Sequence, residues 1–158
     1  MATPDPALLG QGFHWQALAV GQRFRTFRRT ITEADLIGFV GLTGMLEPLF
    51  LDATEGGGAL GPRPVPGALT YCLIEGMLLR GMVHGTGLAL LESHQRALAP
   101  VRVGDTIRAE VEVTEIRPTS RGNRAVVGSL VRVLNQDGTL VMEYTVKRLL
   151  AGKEETSP

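Results

Sequence analysis

The sequence predicts an α+β fold, an antiparallel β-sheet wrapped around one long central apolar helix. Three observations lead there. Residues 67–83 (GALTYCLIEGMLLRGMV) are the most apolar segment of the chain, enough for about four to five turns at 3.6 residues each. Strand-like segments then follow one another, joined by short turns. Helices followed by a run of strands point to α+β rather than to an alternating parallel sheet. Finally, Ile107, Ala109, Val111 and Val113 alternate with Arg108, Glu110, Glu112 and Thr114. That pattern describes a strand with one face to cover.

The elements follow in order. Residues 1–158 are expected to form a single domain, with 1–12 as a flexible arm and 151–158 as a polar tail. Arg23 to Ile31 reads as one strand, and its basic run Arg23–Arg29 as the outer face; an anion-facing role is the lesser alternative. Thr32–Glu33–Ala34–Asp35 has the form of a helix N-terminus, with a hydroxyl to cap and acids at the positive end. Leu36, Ile37, Phe39, Val40 and Leu42 continue at helical spacing, and Gly44 stops the helix. Met45 to Pro66, with four prolines and the cluster Gly56–Gly58, reads as a loop holding one short helical turn. Pro66 suits a helix entrance. Gly76 costs its helix about 1 kcal/mol against Ala, which implies a close neighbour. Thr86 to Val101 contains one long strand, and Ala125 to Leu134 another. Asn135–Gln136–Asp137–Gly138 is a hairpin turn. Leu140, Met142, Tyr144 and Val146 then alternate with Val141, Glu143, Thr145 and Lys147.

Composition excludes several functions. Lys plus Arg is 16 and Asp plus Glu is 16, giving a formal net charge of +0, so no field gathers nucleic acid or an anionic membrane. The apolar stretch 68–83 is short and interrupted by Glu75, Gly76, Arg80 and Gly81, so no membrane span is expected. One cysteine, Cys72, permits no intrachain disulfide. With no secretory pattern in Met1 to Gly12, a cytoplasmic location is expected. His14, His84 and His94 are scattered and predict no metal site. Gly56–Gly58 lacks the Lys-Ser/Thr ending of a phosphate loop.

Few residues offer chemistry. In residues 43–50, TGMLEPLF, Glu47 is the one ionisable side chain among Met45, Leu46, Leu49 and Phe50. It reads either as a solvated loop carboxylate or as an acid or base; Asp52 and Glu55 beyond it read as exposed. Glu75, an acid in a buried helix, needs a partner. Cys72 reads as a small core residue. Tyr71 packs in the core or turns its hydroxyl to a pocket. His84 suits a helix C-terminus, and His14 beside Trp15 closes over the core.

Several short pieces recur in a known order. They are Ile31–Thr32–Glu33–Ala34–Asp35–Leu36 with Phe39, Thr43–Gly44 with Pro48, and Val65–Pro66–Gly67–Ala68–Leu69. Pro100–Val101, Val103–Gly104–Asp105–Thr106–Ile107 and Asn135–Gln136–Asp137–Gly138 follow. Across residues 20–149 the chain thereby resembles the MaoC-like branch of the hotdog fold. The resemblance implies an acyl-thioester protein related to (R)-specific enoyl-CoA hydratases. These are homodimers whose acyl tunnels lie at the subunit interface. It implies no cofactor, CoA being part of the substrate.

In such hydratases the turn after the first helix reads Gly-Asp-x-Asn-Pro-x-His, and its Asp and His activate one water. Here Gly44 and Pro48 stand, but Met45 takes the Asp position, Glu47 the Asn position and Phe50 the His position. Neither Met nor Phe moves a proton. Pro66–Gly67 is similar instead to the helix entrance of hydroxyacyl carrier-protein dehydratases. Their helix Glu falls here on Cys72, with Glu75 about one turn further. The family's thioester carbonyl accepts from the glycine amide that Gly67 represents.

The resemblance therefore implies substrate contacts from Met45, Phe50, Gly67, Ala68 and Tyr71, and leaves Glu47 and Glu75 as the catalytic candidates. Three functions stay open. One is a hydratase or dehydratase with a rebuilt pair, and another a non-catalytic acyl-CoA-binding or partner subunit. The third is a thioesterase using Glu75. The implied partners are an acyl-CoA or acyl carrier protein, and a second copy or a paralogue.

Overall fold

The computed structural model describes residues 8–54, 61 and 63–154; Glu55, Gly56–Gly58 and Pro62 lie outside them, as do 1–7 of the arm and 155–158 of the tail. A 3-10 turn at Trp15–Ala17 precedes β1 (Arg23–Arg25) and β2 (Arg29–Thr30). Helices α1 (Glu33–Thr43), α2 (Pro48–Leu51) and α3 (Gly67–Gly81) follow. Strands β3 (Gly87–Ala97), β4 (Thr106–Pro118), β5 (Arg124–Leu134) and β6 (Leu140–Ala151) complete the chain. All pair antiparallel in the order β1-β4-β5-β6-β3, with β2 also on β4. None of the described helices is long and apolar enough to cross a membrane.

The sheet wraps α3. Leu69, Ile74, Met77 and Leu78 face inward into one core with Ala109, Val111, Val113, Val131, Val133, Met142, Tyr144 and Val146. The period-2 alternation in β4 and β6 selects these side chains, because successive residues point to opposite faces. Helix α1 starts as expected. The Asp35 amide donates to Thr32 Oγ1 at 3.2 Å, and the Thr32 amide donates to Asp35 Oδ2 at 2.8 Å. Gly44, with φ 74°, ends it in the left-handed conformation that glycine takes without steric cost.

Four expectations are corrected. Arg23 to Ile31 is not one strand. Thr26 interrupts it by donating its amide to Ala109 O at 2.9 Å while its Oγ1 accepts the Ala109 amide at 2.9 Å. The hydroxyl replaces a ladder bond, and Phe27 turns out to solvent. Cys72 is exposed on the outer face of α3 rather than buried in the core. Gly76 has no described atom beyond its own helix backbone within 4 Å of where a Cβ would stand, so no close neighbour explains it within one chain. Both ends of the chain are tied down further out than expected: the Gly12 amide donates to His84 O at 2.7 Å, and the Gly152 amide to Asn123 O at 2.7 Å.

Candidate active site

A cleft of about 310 Å³ opens at the N-terminus of α3, within the size range of small-molecule sites. Five separate segments build it. Leu49 and Phe50 come from α2, Pro64 to Gly67 from the approach to α3, and Thr70 from its first turn. Ala97 to Val101 come from the end of β3 and the segment after it, and Val141 and Met142 from the start of β6. Among these lining residues none carries an ionisable side chain.

The hydrogen bonding explains why these segments meet. The Val65 amide donates to Val101 O at 2.8 Å, holding the two strips side by side. Asp105 anchors the second strip, accepting from the Arg102 amide at 2.8 Å and from Gln136 Nε2 at 3.0 Å. That is the role of the Val103–Gly104–Asp105 piece and of the hairpin turn. Arg63 clamps α2 by donating through Nε to Phe50 O at 3.3 Å and pairing through Nη2 with Glu33 Oε1 at 2.5 Å.

Pro66 caps α3 with extended backbone. Its carbonyl accepts from the Leu69 and Thr70 amides at 2.9 and 3.3 Å. The two preceding amides, Gly67 and Ala68, meet no acceptor among the described residues. Unpaired amides at the positive end of a helix attract a partly negative oxygen. Thr70 is only 1% exposed, and its Oγ1 has no hydrogen-bond partner among the described residues.

Of the residues singled out from sequence, Phe50 and Gly67 line this cleft. Met45 and Glu47 are exposed and outside its lining, in the turn just before α2. Ala68 follows Gly67, with its side chain exposed on the outer face of α3. Tyr71 and Glu75 line a second cleft of about 380 Å³, between α3 and β3, with Leu79, Leu88, Leu90 and Arg148.

Glu75 has the partners a buried acid requires. Arg148 Nη2 donates to Oε1 and Oε2 at 2.5 and 2.6 Å, and Tyr144 Oη donates to Oε1 at 2.7 Å. Burial, then the Glu75 carboxylate, push the Tyr144 phenol far above its ordinary pKa, so it remains a donor. Arg148 lies one alternation beyond Val146, and following the β6 pattern one step further locates it. Thr70 stands three residues after Gly67, nearly on the same face of α3, and that spacing was its only sequence signal. No cluster of His, Cys, Asp and Glu among the described residues could hold a metal ion.

Comparison with known proteins agrees with this fold. The family model for a MaoC like domain matches residues 16–133. An (R)-specific enoyl-CoA hydratase from Aeromonas caviae is 33% identical over 128 residues, which cover 80% of this chain and 91% of the hydratase. The unliganded R-hydratase PhaJ1 from Pseudomonas aeruginosa has the same fold with a TM-score of 0.76 at 28% identity, covering 94% of this chain and 96% of that one. A double-hotdog protein from Mycobacterium tuberculosis aligns with a TM-score of 0.81 at 20% identity, over 93% of this chain and 46% of its own length, a likeness of fold alone.

Proposed function

Since the chain belongs to the MaoC-like domain family and has the hotdog fold, we propose that it binds an acyl thioester in the cleft at the start of α3, without the hydratase acid–base pair there. The thioester carbonyl accepts from the Gly67 and Ala68 amides, and the acyl chain lies along Phe50, Leu98, Val141 and Met142. The carrier, CoA or an acyl carrier protein, extends outward. The observation that carries this is an apolar cleft that reaches Gly67, whose amide is unpaired, with no ionisable side chain in its lining. Amides so placed polarise a carbonyl, but adding water also needs a group to take a proton and one to deliver it. The protein then acts as an acyl-thioester-binding subunit, alone or beside a competent relative.

The same proposal includes a second copy. Strand β3 is an edge of the sheet, exposed along nearly its whole length, with Leu88, Leu90 and Leu91 in the open. Beside it α3 exposes Ala68, Cys72, Gly76 and Leu79. A long open edge flanked by apolar side chains invites pairing. A copy packed there would put a close neighbour on Gly76.

Substitution of one amide tests the binding. Gly67→Pro removes the donor at a position where proline is favoured in a helix, while Gly67→Ala keeps it, its Cβ meeting only Met142 Cε at 3.9 Å. Calorimetric titration with hexanoyl-CoA should show Gly67→Pro weakened about tenfold, the effect of one hydrogen bond, and Gly67→Ala close to the wild type. Equal affinities for all three proteins would reject the carbonyl contact.

A further inference from the structure

The cleft of about 380 Å³ between α3 and β3 is separate from the acyl cleft, since the two linings share no residue. Its walls are apolar, with Leu79, Val83, Leu88 and Leu90 among them, and its polar end is the Glu75–Arg148 pair. The volume is within the range of small-molecule sites, which join apolar walls to a few placed polar groups.

The pair is not saturated. A guanidinium carries five N–H donors, and both bonds from Arg148 to Glu75 leave from Nη2. Its Nε and Nη1 meet no acceptor among the described residues, although the side chain is only 7% exposed. Neither nitrogen is sealed over as Tyr71 Oη is. The cleft therefore offers a largely buried guanidinium with donors to spare.

We infer that this cleft is a second ligand site, which takes a small neutral carbonyl compound with an apolar body, such as a medium-chain ketone or ester. The open groups on Arg148 are donors alone, so the ligand supplies lone pairs. A carboxylate would do so too, but Arg148 is already neutralised by Glu75, and a second carboxylate beside Glu75 meets like charge and pays its own desolvation. A neutral carbonyl accepts from the guanidinium without either cost, and its hydrocarbon lies on the leucines.

Leu79, Leu88 and Leu90 also belong to the face offered to a second copy, so the test uses the full chain in whatever assembly it forms. Nuclear magnetic resonance follows the side-chain Nε–H signal of Arg148, identified by its absence from Arg148→Lys, during titration with 2-octanone. The signal should shift and saturate, and octanoate should bind at least about tenfold more weakly. In Arg148→Met with Glu75→Gln, the amide signals of Leu88 and Leu90 should report 2-octanone bound about tenfold more weakly, as expected for one lost hydrogen bond from a charged donor. Gly67→Pro, which acts on the other cleft, should leave 2-octanone binding unchanged. An Arg148 signal that never moves in the wild type overturns the inference, and that result needs no variant to fold. Octanoate bound as tightly as 2-octanone overturns the neutral ligand class. Full affinity in the double variant, or its loss in Gly67→Pro, overturns the site. None of these results bears on hexanoyl-CoA in the acyl cleft.

Discussion

Replacing Arg148 by Met should cost about 3 kcal/mol of stability. The Arg148 and Glu75 side chains are 7% and 14% exposed, and the guanidinium touches both carboxylate oxygens. Removing one member of a buried ion pair costs about 3–5 kcal/mol, because the other charge is left uncompensated. The lower end applies, since Tyr144 Oη still donates to Oε1. For a chain of this size each kcal/mol shifts the melting temperature by about 2–4 °C, so thermal denaturation at pH 7 should show a loss of about 6–12 °C. The companion double variant Arg148→Met with Glu75→Gln removes both charges, leaves Tyr144 Oη an acceptor, and should recover most of that loss. A shift below about 2 °C for Arg148→Met would refute the reasoning. So would a double variant no more stable than the single one, since the cost would then not come from a stranded carboxylate.

Two further outcomes follow from named contacts. Burial raises the Asp35 pKa, but hydrogen bonds from the Thr32 amide and hydroxyl and the Arg29 guanidinium outweigh it, and the net shift is downward. The folded value being depressed, this stabilisation is complete above the ordinary carboxylate pKa and is lost as pH falls through the lowered value. Asp35→Asn should cost about 1 kcal/mol at neutral pH, a typical cap contribution, and the difference should shrink in urea titrations run at progressively lower pH. Gly76→Leu fills the bare outer face of α3, where no described atom beyond the helix's own backbone lies within 4 Å of a Cβ. If a second copy packs there, light scattering should show a dimer in the wild type and monomer in the variant. The same mass for both would remove α3 from the interface.

The fold was legible where one pattern dominated. Alternation in residues 107–113 named a buried face that the structure retains in full, and Thr32 with Asp35 named a helix start later seen bond by bond. The need of Glu75 for a partner was also readable, because a charge in an apolar helix requires one. What escaped depends on distant contacts. Thr26 breaks the first strand through its hydroxyl, which propensity does not register. Cys72 and Gly76 sit in an apolar segment, and composition cannot tell which side of such a helix a single chain covers. The cleft gathers α2, the α3 entrance and segments flanking β3 and β6, so its lining was invisible except at Phe50 and Gly67. Thr70 resembles any core threonine until its missing partner is seen.

The decisive experiment incubates the purified protein with short- and medium-chain 2-enoyl-CoA thioesters, recording binding by calorimetry and products by mass spectrometry. An apolar cleft without an acid–base pair predicts bound ligand recovered unchanged, with neither water added nor CoA released. Gain of one water with the thioester intact would contradict that account and turn attention to Glu47 and Glu75, through Glu47→Gln and Glu75→Gln.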